Sequence, residues 1–277
     1  MLIILPLLLI MALKLFTGHN GEGINISGAG IFFEIPLPIQ NLPITEAQVN
    51  SLAVMLSVTG LCLYFTHGLS VWKPSKRQLI AEYIVEFAEK LVNSNMNEYF
   101  KGFAPFICAV LVLSGFSSLL SLAGLFPPTS DINICMGWAI LVFILITFYK
   151  LKCGLYVYLK SFGKPVLFLA PLNVISEVAT PISMAFRHYG NILSGTVVSV
   201  LVASGLQSLS GILLGRLPGV FGEFPLLQIG IPALLSIYFD IFSGILQAYI
   251  FAILTMLYVS GGFPYEEYLR RKRYENA

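Results

Sequence analysis

Residues 183–196 read SMAFRHYGNILSGT and lie in an apolar run, about residues 166–208, that is long enough to cross a membrane. Within five residues the stretch holds Arg187, His188 and Asn191. A charged side chain at bilayer depth costs at least about 2.5–3.5 kcal/mol on insertion scales, and arginine keeps its charge at any ordinary pH. Arg187 therefore needs an anion, water or both beside it, and is a candidate functional residue.

The composition of the chain predicts an integral membrane protein. Of its 277 residues, 57% are hydrophobic and 11% are charged, and the mean hydropathy is +0.83. The fold predicted is all-α and polytopic, with about five transmembrane helices, of which the last two are long and strongly tilted or broken. The five apolar windows are about 50–71, 103–127, 132–151, 166–208 and 225–260.

Three regions are expected along the chain. Residues 1–49 would form an N-terminal apolar segment and an extracytoplasmic arm, residues 50–265 the membrane domain, and residues 266–277 a basic cytoplasmic tail. The apolar run 1–16 favours a short membrane-associated segment, with a signal peptide as the alternative. No internal repeat is visible, which weighs against transporter folds built from inverted repeats.

An amphipathic helix is predicted after the first span, lying on the membrane surface. Glu82, Glu86, Glu89 and Lys90 occupy its polar face. The apolar residues recur at helical spacing and are Leu79, Ile80, Tyr83, Ile84, Phe87, Ala88 and Leu91.

Basic residues set the expected orientation, because cytoplasmic loops are enriched in lysine and arginine. Thirteen fall on one predicted face and two, Lys14 and Arg216, on the other. The expected location is the cell's inner (plasma) membrane, with the N-terminus on its outer side and the C-terminus in the cytoplasm. The thirteen are Lys73, Lys76, Arg77, Lys90, Lys101, Lys150, Lys152, Lys160, Lys164, Arg270, Arg271, Lys272 and Arg273.

Two polar stripes follow helical spacing inside the last two apolar runs. They predict a hydrated route, or a surface for a partner that also carries charge in the membrane. The alternative is that these groups only satisfy one another, for example Arg187 with Asp240. His188 lies about 100° from Arg187 and is expected to pack rather than relay protons. The stripes are Thr180, Ser183, Arg187, Asn191 and Ser194, then Ser236, Asp240, Ser243 and Gln247.

Small residues surround the arginine. Gly190, Ser194 and Gly195 leave little side-chain bulk, so another helix could approach closely. An arginine in that setting can meet a carboxylate on a passing partner.

Ligand motifs are sparse. The cysteines show neither a CxxC pair nor His/Cys ligand spacing, so we expect buried hydrophobes and no metal or cofactor. A phosphate loop ending in GK[ST] is also missing. Nucleic acid is not an expected partner, and membrane lipid is.

Four stretches resemble subunit a of the F-type ATP synthase, the stator channel subunit of its membrane sector. The resemblance covers roughly residues 45–260 and keeps the family's motif order. The stretches are GLFPPTSDINI (124–134), PLNVISEVATPISMAFR (171–187), FRHYGNILSG (186–195) and GILQAYIFAILTMLY (244–258).

The resemblance implies a set of partners and a set of ion-translocating residues. The partners would be a ring of c subunits with membrane-embedded carboxylates, the peripheral-stalk b subunits, and a soluble ATPase sector that carries the catalysis. The chain itself would not be an enzyme. The residues carried over are Arg187, Asn191, Asp240, Gln247, Glu177 and Ser183.

The implied mechanism uses two offset half-channels separated by Arg187, with Glu177 and Asp240 lining the outer one. The coupling ion is expected to be H⁺, and the cell bacterial. Departures from the family pattern include His188 in place of Leu, Thr196 in place of an acid, and Ser121 where Asn is common.

Two other classes remain open from the residues alone. A secondary transporter could use Arg187 to bind a small anionic solute. A structural membrane anchor would have no need of a charged stripe at depth.

Overall fold

The computed structural model describes most of the chain as helix. The described residues are 5–10, 28–36, 38, 41–72, 74–152, 154–163, 168, 170–214, 231, 234–235, 237–263, 265 and 268–269. They form two compact units. The first comprises Met1–Gly68, Val112–Asp131 and Tyr189–Ala248, and the second Leu69–Leu111, Ile132–His188 and Tyr249–Ala277.

Seven α-helices of eight residues or more follow one another along the described part of the chain. Short 3₁₀ segments at Glu98–Phe103 and Leu120–Ala123 extend α3 at both ends, and a π-helix at Ile237–Ser243 leads into α7. The α-helices are α1 Glu46–Thr66, α2 Lys76–Asn95, α3 Ala104–Leu119, α4 Ile132–Lys152, α5 Leu155–Phe162, α6 Ala170–Leu214 and α7 Gly244–Gly261.

Five helical segments are long and apolar enough to cross a membrane, which confirms the all-α polytopic fold. Their order and approximate bounds match the five apolar windows of the sequence. Part of the fifth window, residues 225–230, lies outside the described residues. The segments are Glu46–Thr66, Glu98–Ala123, Ile132–Lys152, Ala170–Ile212 and Ile237–Gly261.

Helix α6 is unusually long and runs without a break. Its 45 residues span about 68 Å at 1.5 Å per residue, against a hydrocarbon layer of roughly 30 Å. An upright helix of that length would leave apolar turns in water, so α6 has to tilt or bend. Pro181 lies inside it, and the helix continues through this residue despite the missing N–H.

In the first unit, an antiparallel hairpin precedes α1. Strand β1 (Ile31–Ile35) pairs with β2 (Leu42–Thr45), and Ile35 lies opposite Leu42. The sequence predicted only an extended arm here. Extended apolar residues on both sides of a proline-rich turn can pair their backbone groups, which a single arm leaves unpaired.

The N-terminal apolar run is helical at residues 5–10. Leu7 and Ile10 pack against Ala53 and Val54 of α1 and a neighbouring Leu120. This short helix thus extends the apolar core of the first unit. The tail predicted at residues 266–277 lies almost wholly outside the described residues.

The connection between α3 and α4 is fixed to the start of α1. The amide Nδ2 of Asn50, a fully buried residue, donates to the carbonyl oxygen of Phe126 at 2.8 Å. The backbone N–H of Phe126 donates to Glu46 Oε1 at 3.4 Å. Buried backbone groups in a turn need such partners, so the first turn of α1 holds this loop in place.

In the second unit, aromatic rings from four segments form one cluster. Tyr99 stacks on Phe263 with ring centroids 4.7 Å apart, and Phe100 meets Tyr149 edge-on at 4.9 Å. The C-terminal half of α2 packs into the same core through Ala88 and Leu91. The rest of the apolar stripe of α2 is exposed, with Tyr83 72% accessible, as expected for a helix that contacts lipid.

The π-helix and the start of α7 pack closely against neighbouring segments. A Cβ at Gly244 would lie 2.7 Å from the Cβ of Ser118, and a Cβ at Gly195 would lie 3.0 Å from the ring of Phe239. A side chain at position 244 would force its neighbours to shift, and one at position 195 would make a tight contact.

Replacing Gly244 with valine is therefore expected to destabilise the first unit. Overpacking of this kind costs about 1–3 kcal/mol. The measurement is the fraction of detergent-solubilised protein that stays soluble on heating. Gly137→Val is the matched control, because Gly137 is exposed and no atom of the described residues lies within 4 Å of a Cβ there. Equal heat resistance of the two variants would contradict the close packing at Gly244.

Candidate functional site

Arg187 lies on the uninterrupted helix α6 and is exposed. The described parts of the chain give its guanidinium neither a salt bridge nor a hydrogen bond. Ser183, one turn earlier, is also exposed. Thr180 and Ser194 donate to carbonyl oxygens of their own helix, at 2.9 and 3.0 Å. Arg187 is the charged residue of this stripe, and the described residues supply no counterion for it.

His188 points away from that stripe and is buried, with 2% of its surface exposed. Its ring centroid lies 6.1 Å from that of Trp138 and 5.5 Å from that of Phe251. This agrees with the prediction that His188 packs. The aromatic contacts hold the buried side of α6, so the turn that carries Arg187 is firmly seated.

Asn191 pairs with Ser243 of the π-helix through two hydrogen bonds. Ser243 Oγ donates to Asn191 Oδ1 at 2.8 Å, and Asn191 Nδ2 donates to the backbone carbonyl of Ser243 at 3.3 Å. The two polar stripes thus meet at this pair in the first unit, which is the mutual satisfaction that the alternative interpretation allowed for some of their residues.

Asp240 lies in the middle of the π-helix and is half-buried. The hydroxyl of Ser121 donates to its carboxylate. Ser121 comes from the 3₁₀ segment after α3, so it belongs to the start of the loop that leads to α4. The sequence singled out Ser121 only as a departure from the family pattern. Its bond to Asp240 depends on a packing contact that spacing cannot predict.

The second stripe is not a simple α-helical face. Asp240 and Ser243 lie in a π-helix, where hydrogen bonds run from i to i+5, and Gln247 follows in α7. The spacing of 4, 3 and 4 residues assumed an α-helix throughout, so that part of the prediction was wrong. Ser236 lies outside the described residues. π-Turns of this kind often occur at functional sites.

Gln247 is buried, with 5% of its surface exposed. Its Nε2 finds no acceptor among the described side chains and backbone groups. A buried amide without a partner is costly, and such groups are normally completed by water or another chain.

Glu177 lies in the second unit and is held by two donors. Lys150 Nζ donates to Glu177 Oε1 at 2.9 Å, and the side chains of the two are 23% and 11% exposed. Tyr158 Oη donates to the same oxygen at 3.2 Å. Burial raises the pKa of the Tyr158 phenol, and the neighbouring Glu177 carboxylate raises it further. Tyr158 therefore remains a proton donor at neutral pH.

The site residues thus fall into two groups. Asp240, Asn191 and Gln247 belong to the first unit, whereas Glu177 and Arg187 belong to the second. The sequence assigned Glu177 and Asp240 to one route and missed Lys150 as the partner of Glu177. These two residues are 27 positions apart, and Lys150 was counted only as an inside charge. The described residues bring no three His, Cys, Asp or Glu side chains together as a metal centre.

Comparison with known proteins identifies the family. The family model described as ATP synthase A chain matches residues 48–260. ATP synthase subunit a of Priestia megaterium is 34% identical over 236 residues, which cover 80% of this chain and 94% of the relative. That of Macrococcus caseolyticus is 33% identical, over 75% of this chain and 87% of the relative.

A relative from Propionigenium modestum, ATP synthase subunit a, sodium ion specific, is 27% identical over 88% of each chain. These matches favour neither the secondary transporter nor the structural anchor. The family model covers most of the membrane-spanning region, including Glu177, Arg187, Asp240 and Gln247. The chain therefore belongs to the ATP synthase A chain family.

Proposed function

We propose that this chain faces a rotating ring of c subunits in the membrane sector of an F-type ATP synthase, with Arg187 between two half-channels. The family is that of the ion-translocating stator subunit, so the chain takes part in ATP synthesis through ion transport and needs no catalytic site of its own. The two half-channels divide the other polar residues of the site between them.

The exposed Arg187 is the observation that carries the proposal. Its charge is permanent, and the described residues offer it no counterion. A ring carboxylate that passes at the same depth supplies the missing anion. A Cβ at Gly190 would meet no atom of the described residues within 4 Å, so the next turn of α6 leaves room for a closely approaching helix.

Arg187 has two roles in this mechanism. Its positive charge favours the deprotonated form of the ring carboxylate, because an opposite charge nearby stabilises the ionised state. It also bars ions from passing directly between the half-channels. Each charge that moves down 100 mV releases about 2.3 kcal/mol, and the sum over several ring sites supports one ATP.

The outer half-channel is assigned to Asp240 and its neighbours. Asp240 accepts from Ser121, whose segment leads into the α3–α4 connection that the charge pattern predicts outside. Asn191 and Ser243 form a polar pair in the same unit, and the unpartnered Nε2 of Gln247 fits a water on this route.

The inner half-channel is assigned to Glu177, with Ser183 between it and Arg187 on α6. This replaces the expectation that Glu177 lines the outer route. Glu177 is bonded to Lys150, which is in the last turn of α4, and the charge pattern places that end of α4 inside the cell.

The remaining assignments follow from the family and the charge pattern. Ring proteolipids contact α6 and α7, the b subunits form the peripheral stalk, and the soluble ATPase sector completes the complex. The N-terminus and residues 1–49 lie outside, residues 50–265 form the channel domain, and residues 266–277 form a cytoplasmic tail. The membrane is the bacterial inner (plasma) membrane, and nucleic acid plays no part.

Arg187→Ala is expected to abolish ATP-driven acidification of inverted membrane vesicles. Without the arginine, no cation stabilises the ionised form of the ring carboxylate, so the carboxyl group does not release its proton. The complex should still assemble, as judged by co-purification of the ring and the soluble ATPase subunits. Lys90→Ala is the control, since Lys90 is an exposed cation paired only with Glu86 on the surface of α2. Unchanged pumping by an assembled Arg187→Ala complex would refute the proposal.

Asp240→Asn is expected to slow pumping several-fold, because the outer route loses a carboxyl that can accept and release protons. Asp240→Glu should keep most of the activity. Initial rates of vesicle acidification, normalised to the amount of assembled complex, measure both. Equal rates for native and Asp240→Asn protein would remove Asp240 from the route.

The coupling ion is expected to be H⁺. Acidification should then proceed in sodium-free medium and should not be suppressed by added Na⁺. Suppression by Na⁺ would instead assign this chain to a sodium-coupled machine, like the relative from P. modestum whose name says so.

A further inference from the structure

The mechanism proposed above gives no role to Lys150 or to the cavity beside it. Both lie at the inner half-channel, so a role for them rests on the proposed function. Their chemistry bears on which cations can enter from the inside.

The contact between Lys150 and Glu177 is half-buried and specific. The ammonium is 2.9 Å from Glu177 Oε1, and the side chains of the two are 23% and 11% exposed. Tyr158 donates to the same oxygen. Removing one partner of a pair that is partly shielded from water leaves the other charge without its counterion, which is unfavourable. The carboxylate of Glu177 is thus neutralised by a cation of its own chain.

The backbone near the end of α7 is shaped to admit the lysine. A Cβ at Gly262 would lie 2.9 Å from Lys150 Cε and 3.0 Å from the carbonyl oxygen of Tyr258. The lysine stem therefore crosses a position that only glycine leaves open.

Lys152 makes a useful contrast, since it belongs to the same last turn of α4. It is exposed, and it donates to the hydroxyl of Tyr99 rather than to a carboxylate. The two lysines carry equal charge at the same end of the helix, but only Lys150 reaches an acid.

A cavity of about 510 Å³ adjoins the pair. It has room for on the order of ten waters. Besides Lys150, Glu177 and Tyr158, its polar lining comes from Asn173, Ser176, Thr180 and Tyr258. Glu177 precedes Arg187 by ten residues on α6, which is about 15 Å along the axis. The cavity thus lies at a suitable depth for the inner mouth of the half-channel.

Oxygen atoms dominate the polar lining. Carboxylate, amide and hydroxyl oxygens are the ligands that hard cations prefer. With Glu177 unpaired, this lining would suit Na⁺. The ammonium of Lys150 changes that, because it neutralises the carboxylate and repels metal cations, as fixed positive charges do in selective pores. Protons still pass, since they move between waters and need no set of ligands.

We propose that Lys150 is a selectivity residue of the inner half-channel, which occupies Glu177 and so keeps metal cations out of the cavity while protons pass. Its effect is exerted on the Glu177 carboxylate.

The test uses ATP-driven acidification of inverted vesicles, in which the inner face of the complex meets the medium. Rates are compared in NaCl and in choline chloride at equal ionic strength. Native protein and Lys150→Arg should pump equally in both media. Lys150→Met keeps the aliphatic stem but loses the charge, and its pumping should fall several-fold in NaCl relative to choline.

Two further variants test whether Lys150 acts through Glu177. In the double variant Lys150→Met/Glu177→Gln, pumping should again be insensitive to Na⁺, because no free carboxylate remains to bind it. Lys152→Met, the matched control, should behave like the native protein. A structural role for Lys150 would change the rate in both media alike and would not create a response to Na⁺.

Gly262→Ala is the second variant to measure in case the Lys150→Met complex does not assemble. It keeps both charges and displaces the lysine stem, so partial sensitivity to Na⁺ is expected. Equal rates in NaCl and choline for the assembled Lys150→Met complex, or for Gly262→Ala if the former does not assemble, would overturn the inference. Native pumping that requires Na⁺ would also overturn it.

The outcome is separable from that of the Arg187 experiment. If Arg187→Ala abolishes pumping and Lys150→Met shows no response to Na⁺, only the role of Lys150 fails. If Arg187→Ala pumps normally, the proposed function itself fails.

Discussion

A guanidinium cannot give up its proton in lipid, and this constraint shapes the region around Arg187. The residue lies on a helix whose other turns are largely apolar, so the cost of its charge has to be offset by a group at the same depth. The described chain offers no such group, while the next residue, His188, packs about 100° around the helix near the rings of Trp138 and Phe251. An arginine held firmly and left without a counterion is suited to a partner whose carboxylate comes and goes.

Asp240 and Glu177, the two acids of the proposed half-channels, have different hydrogen-bond partners. Asp240 is half-buried and accepts from a neutral hydroxyl, so no cation among its described contacts cancels its charge. Glu177 carries a lysine. A carboxylate beside a hydroxyl can exchange protons with water, whereas one that is bonded to an ammonium is already neutralised. The local partners thus give the two acids, and with them the two proposed half-channels, different electrostatic character.

Much of the architecture was predictable because hydropathy alone determines which segments cross a membrane. The five spans and the exposed arginine follow from apolar runs and helical spacing. The stripes identified Asn191 and Ser243 as polar positions, but the hydrogen bonds between the two come only from the structure. The π-helix around Asp240 could not be predicted from the sequence. The polar residues are spaced as in an α-helix, and nothing in that spacing shows that the hydrogen bonds run from i to i+5. The hairpin before α1 and the Lys150–Glu177 pair escaped for a related reason, because both depend on contacts between segments whose sequences give no sign of one another.

Gly262, directly after α7, leaves open the space that the side chain of Lys150 from α4 occupies. Lysine at position 150 can lie where it does only while position 262 lacks a side chain. A residue with a side chain at 262 would force the lysine stem at 150 to shift away from its present path, and a shorter residue at 150 would lift that restriction on 262. Among related chains these two positions should covary, so that a sequence change at one records the electrostatic requirement at the other.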